Sequence, residues 1–182
     1  MKKIYIDDSN QITNMYKKPI LFENRTITNE ADCMKLLVNN IVSKYRNLYY
    51  DNANISNTEA IAKANDHNCD YFISLHSNAD NSKELQSTDI YYHFNSIKGL
   101  FVANLAQKEF KKIFPTRKVI VRADDYLYKS GLQVLRETNM PAILIENFWH
   151  DSYTDLKWAC DNFYNLCEVY INICKKLNEN KL

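Results

Sequence analysis

Strand-like and helix-like blocks of apolar positions follow one another along the chain. Lys3 to Asp7 is a short apolar-rich segment that fits a strand. From Asn29 to Arg46 the apolar residues Ala31, Met34, Leu37, Val38, Ile41 and Tyr45 recur at helical spacing, with Thr28 or Asn29 as the cap. Leu48 to Tyr50 reads as a brief strand, and Asn57 or Thr58 caps a helix to about His67 that turns Ile61 and Ala64 inward. Tyr71 to Leu75 is an apolar run bounded by polar residues, long enough for a buried strand and too short for a helix. Thr88 to Phe94 is rich in β-formers, Gly99 to Phe114 is amphipathic and stopped by Pro115, and Val119 to Val121 is a further strand. Pro141 introduces the strongest strand, Ala142 to Glu146, and Thr154 to Leu177 closes the chain as one long helix.

Strands alternating with helices predict an α/β fold, a mostly parallel twisted sheet with helices on both faces. No repeat, linker or internal boundary interrupts 1–182, so one domain is expected. A content of 46% hydrophobic and 13% aromatic residues supplies one sizeable core. The net charge of +1 argues against a nucleic-acid partner or an anionic membrane, and no run is long enough for membrane insertion. Ile4-Tyr5-Ile6 gives way at once to Asp7-Asp8, too soon for a secretory apolar core, so synthesis in the cytoplasm and release or a separate export route are expected. Cys160, Cys167 and Cys174 recur every seven residues, but seven helical residues rise roughly 10 Å, too far for one tetrahedral zinc. They read as small core hydrophobes.

In such sheets ligands collect beyond the carboxyl ends of the strands. His76 ends one predicted strand, Glu146 ends another, and Glu30 sits in the first turn of the helix after the first strand. One His and two Glu at that rim are the minimum for a metal-assisted hydrolase. The alternative is structural: a strand-end His is commonly hydrogen-bonded, and a first-turn Glu favours the helix dipole.

The residues then become specific. Ile61-Ala62-Lys63-Ala64-Asn65 followed by Asp70-Tyr71-Phe72-Ile73-Ser74-Leu75-His76-Ser77-Asn78-Ala79 closely resembles a signature of the zinc-dependent N-acetylmuramoyl-L-alanine amidases of type 3, phage endolysins among them. Val134-Leu135-Arg136, then Met140-Pro141-Ala142-Ile143-Leu144-Ile145-Glu146-Asn147-Phe148, is similar to that family's second signature, and Asn29-Glu30 to its ligand segment. The resemblance implies a catalytic domain with an α/β fold, and no separate wall-binding domain is expected in 1–182. It implies one zinc held by His, Glu and His, with a second Glu activating the metal-bound water. The reaction would cleave the amide between muramic acid and the L-alanine of the peptidoglycan stem. It assigns Glu30 and His76 as ligands, Glu146 as general base and acid, and Asn78 and Arg136 as substrate contacts or loop braces.

One departure stands out. Where the family carries its first His ligand in a glycine-rich turn, this chain has Ile6-Asp7-Asp8-Ser9-Asn10-Gln11, so Asn10 falls on the ligand position. An amide oxygen is a weak ligand for zinc. Three outcomes stay open: Asn10 ligates through oxygen, Asp7 or Asp8 swings in, or no zinc is bound. Ala60 replaces an arginine sometimes present in the family. His67 and His93 read as structural or solvated, His150 as close to the site without a matching position, and Tyr126 and Tyr128 as groove or packing residues. The competing expectation is a degenerate amidase fold that binds peptidoglycan or a protein partner without turnover. An unrelated serine hydrolase is disfavoured, because no Gly-x-Ser-x-Gly elbow is present.

Overall fold

A computed structural model describes residues 1–22, 25–50, 55–80 and 84–179. Its six-stranded sheet runs in the order β4 (Leu48–Tyr49), β1 (Ile4–Asp8), β5 (Tyr71–Asn78), β8 (Ala142–Trp149), β6 (Thr88–Tyr92), β7 (Val119–Ala123). Neighbours are parallel except β8 and β6, which are antiparallel. β6 is therefore an interior strand. It ends at Tyr92, so His93 lies beyond it.

Alternation along β5 and β8 divides two apolar layers. Ile73, Leu75, Ile143 and Ile145 face the large core beneath α1 (Glu30–Lys44), α3 (Ile97–Ile113) and α6 (Phe163–Glu179). Phe72, Ala142 and Leu144 face a smaller cluster covered by α2 (Asn57–Asp66) and the short α4 (Gln133–Arg136). Each fully buried Ile or Leu of the large core contributes about 1.5–3 kcal/mol. Among the described residues no helix is long and apolar enough to cross a membrane.

Helix starts follow side-chain capping. Asn29 accepts from the amide of Asp32 to begin α1. Ser56, not Asn57 or Thr58, caps α2 through a reciprocal box with Glu59. Ser96 caps α3, which begins at Ile97, two residues ahead of Gly99. The expected single closing helix is two, α5 (Tyr153–Asp161) and α6, broken at Asn162. Asn162 leaves helical geometry, and its side-chain amide bonds the carbonyl of Trp158 at 2.9 Å, a local bond that competes with helix continuation. The apolar period runs through the break because both helices bury against one core. All five cysteines are free, Cys167 and Cys174 fully buried in α6.

A hairpin of β2 (Met15–Phe22) and β3 (Arg25–Asn29) forms a separate two-stranded sheet that the pattern did not reveal. Its lysines and Pro19 obscure the strand signal. A proline is tolerated there because a two-stranded ribbon has only edge strands.

One buried ion pair ties the layers together. Arg117 donates from Nη1 to Asp155 Oδ1 at 2.7 Å, from Nε to Thr88 Oγ1 at 2.8 Å and from Nη2 to the carbonyls of Ser87 at 2.7 Å and Asn147 at 3.0 Å. Removing the carboxylate would strand a buried guanidinium. Asp155→Ala should lose about 3–5 kcal/mol in urea unfolding, and a loss below about 1 kcal/mol would show that the pair is not a determinant of the fold.

Candidate active site at the strand ends

His76 and Glu146 are register partners on the parallel pair β5–β8, on the face opposite the large core. Asn29 caps α1, so Glu30 is its first residue and comes over the strand ends to meet His76. Glu30 Oε1 lies 2.9 Å from His76 Nδ1 and accepts from the amide of Ser77 at 3.3 Å, while Oε2 accepts from Asn14 Nδ2 at 2.9 Å. The fold thus brings Glu30, His76 and Glu146 together at the predicted rim.

The second nitrogen of His76 is also engaged. Ser74 Oγ donates to Asp7 Oδ2 at 2.6 Å and lies 3.1 Å from His76 Nε2. With its proton given to Asp7, Ser74 can only accept from Nε2–H. Nδ1 faces a carboxylate and is a donor as well, so the ring carries both protons. Its pKa agrees in direction. Burial pulls it down, but the bond to Glu30 and the charges of Glu146, Glu30 and Asp7 outweigh that and raise it to about 9. Burial raises Asp7 to about 6 against the opposing bond from Ser74. For Glu30 burial is outweighed by the bond and charge of His76, and its pKa falls.

Glu146 is differently placed. The residue keeps some exposure, yet its Oε2 is buried and has no hydrogen-bond partner among the described residues. Burial pushes its pKa to about 8, with Glu30 and Asp89 adding to the rise and His76 opposing it. An imidazolium between one ionised and one proton-retaining carboxylate is an arrangement suited to moving protons.

Comparison with known proteins is decisive at this point. Residues 21–174 match the family model for N-acetylmuramoyl-L-alanine amidase. The chain belongs to the N-acetylmuramoyl-L-alanine amidase family. Its members hydrolyse peptidoglycan. The fold is similar to the catalytic domain of CwlV from Bacillus (Paenibacillus) polymyxa var. colistinus, with a TM-score of 0.74, 18% identity and 100% of both chains covered. It is also similar to an amidase from Clostridium difficile 630, with a TM-score of 0.72, 20% identity and 100% and 98% of the chains covered. AmiC2 of Nostoc punctiforme gives a TM-score of 0.72 at 17% identity over 97% of each chain. No curated protein matches the sequence.

The family's zinc has to be tested against the donors present in this amidase-family chain. Glu30 Oε1 and His76 Nδ1 converge as two ligands would. Asn10, expected from the sequence at the third ligand position, donates its amide Nδ2 to the carbonyl of Ile55 at 3.1 Å. Asp7 is held by Ser74, and Asp8 accepts from the hydroxyl of Tyr50 at 2.8 Å. Among the described residues no group of three His, Cys, Asp or Glu could hold a metal ion. This donor set does not fit a three-ligand zinc centre.

The other predicted residues lie around the rim. Asn78 ends β5 and bonds the amide of Ala79 at 2.9 Å. Arg136 braces its own loop, donating to the carbonyls of Ser130 at 2.9 Å and Gly131 at 3.2 Å. His150 is buried, stacked on Tyr16 and within 3.0 Å of Ser77 Oγ, behind the site. His67 is the exposed C-cap of α2, and His93 contacts Asp124. Tyr126 and Tyr128 are exposed, and Ala60 is buried under the sheet. Asn14 and Asp89 escaped the sequence reading. Asn14 precedes an unpredicted hairpin, and only strand pairing places Asp89 beside Glu146.

The shifts predict a pH dependence with a definite sign. Glu146 has a folded pKa of about 8, above its ordinary value of 4.5. The folded state therefore holds the proton more tightly, and stability present at low pH is lost as pH rises through about 8. Wild-type stability should fall between pH 5 and 8, by at most about 1.4 kcal/mol per pH unit per proton. Glu146→Gln should show a visibly shallower fall in denaturant titrations across that range; parallel curves would contradict the assignment.

Proposed function

We propose that this chain engages peptidoglycan at the N-acetylmuramoyl–L-alanine amide, with Glu146 as the group that moves protons there. The observation that carries the reading is the buried Oε2 of Glu146, which has no hydrogen-bond partner among the described residues and belongs to the register partner of His76. In its ionised form Glu146 takes a proton from water as the water oxygen bonds to the lactyl carbonyl carbon. The carbon–nitrogen bond then breaks, and Glu146 returns the proton to the departing amine of L-alanine. His76 donates to Glu30 and Ser74, so its contribution to the developing oxyanion is its charge rather than a direct hydrogen bond. No step is routed through zinc, because the donor set does not support it.

A second reading, a peptidoglycan-binding domain without turnover, is favoured by one observation: Asn10 is committed to Ile55 and offers no imidazole.

Two measurements separate these readings. Wild type should release amino groups from purified peptidoglycan, and Glu146→Gln should lower the rate at least about 100-fold. Equal release by both proteins would remove Glu146 from the chemistry, and no release by wild type would leave the binding domain. In zinc titrations followed by elemental analysis, Asn10→His should bind roughly 10–100-fold more tightly than wild type. Equal tight binding by wild type would mean that the site holds zinc without the imidazole.

A further inference from the structure

The sheet face that carries His76 and Glu146 continues onto β6 and β7. Asp89 is the register partner of Glu146, and Arg122 stands opposite Tyr91, so strand alternation puts Asp89, Tyr91 and Arg122 on the same face as Glu146. Asp89 is buried; its Oδ1 accepts from Ser87 Oγ at 2.8 Å and its Oδ2 from Arg122 Nε at 3.4 Å. The guanidinium carbon of Arg122 lies 4.6 Å from the centroid of the Tyr126 ring. The turn bearing Tyr126 is fixed from below. The carboxylate of Asp124 accepts from the amides of Phe94 at 3.0 Å and Leu132 at 2.8 Å. Gly131, at φ 71°, leaves room for that carboxylate, since a Cβ there would sit 2.5 Å from Asp124 Oδ2.

Arg122 differs from its neighbours in what it leaves free. Arg117 spends Nε and both terminal nitrogens on buried acceptors, and Arg136 spends both terminal nitrogens on carbonyls and Glu137. Arg122 bonds through Nε alone. Among the described residues its terminal nitrogens have no hydrogen-bond partner, and its side chain is 30% exposed. A guanidinium anchored at Nε and stacked on a ring, with its two-nitrogen fork open, matches a bidentate oxyanion. The carboxylate of Asp89 alongside favours a singly charged carboxylate over a doubly charged phosphate.

We propose that Arg122, held by Asp89 and Tyr126, is the subsite for a carboxylate on the peptide side of the substrate, close to the amide at Glu146. The proposal rests on the rim being a peptidoglycan site. β7 stands two strands from β8, roughly 9–10 Å at sheet spacing, about three extended residues. The reach of the arginine side chain toward Asp89 shortens that gap. The carboxylate therefore belongs to the second residue of the stem rather than to its far end.

The test is calorimetric titration of wild type with N-acetylmuramoyl-L-alanyl-D-glutamate and with the same fragment carrying both carboxyls as amides. Wild type should prefer the acid by roughly tenfold. Arg122→Gln, which keeps a donor for Asp89, should bind both fragments with the affinity of the diamide. Arg122→Lys, which keeps the charge without the fork, should retain only part of the preference, and it carries the test if Arg122→Gln fails to fold. Equal binding of both fragments by wild type, or an undiminished preference in the variants, overturns the subsite and leaves the site reading intact. If neither fragment binds to wild type, the site reading falls and the subsite with it.

Discussion

The register between β5 and β8 underlies the whole site. Ile73 pairs with Ile143, Leu75 with Ile145 and His76 with Glu146, so two buried apolar rows and one polar pair are fixed by the same ladder. A slip of one residue would turn the isoleucines toward the thin layer and bury His76 under α1. The large core makes that slip prohibitive, because several full side-chain burials would be lost together. Packing energy far from the rim thus holds a histidine and a glutamate side by side against the cost of burying them.

On that frame the electrostatics follow from few atoms. Ser74 can give its proton only once, and giving it to Asp7 makes it an acceptor for His76. Glu30 completes the arrangement from the other side because Asn29 ends β3 and caps α1 at one residue. His76 is therefore hydrogen-bonded at both nitrogens. Asn10 turns its amide away toward Ile55. Membership of a zinc-dependent family and the local donor set point in different directions, and the local geometry bears directly on this chain's chemistry.

The antiparallel return of β6 extends the site sideways. It brings Asp89 against Glu146 and, through β7, Arg122 within reach of Asp89. These two positions lie 33 residues apart in sequence and belong to no short motif. The face that holds Glu146 and the face that holds Arg122 are one continuous strip of sheet. Asp124 and Gly131 hold its far margin in place.

Much of this was legible in one dimension. Short apolar runs located β1, β5 and β8, which are buried on both faces, and spacings of three to four located α1, α2 and α3, each of which buries one face against the core. The rim positions of Glu30, His76 and Glu146 followed from where those elements end. The hairpin of β2 and β3 was hidden by lysines and Pro19, and the break at Asn162 by an apolar period that continues across it. What only the tertiary structure decided was pairing. That Ser74 sits between Asp7 and His76, that Asn10 faces Ile55, and that Asp89 borders Glu146 are consequences of strand order and register. Those depend on contacts between residues distant in sequence, which no local spacing encodes.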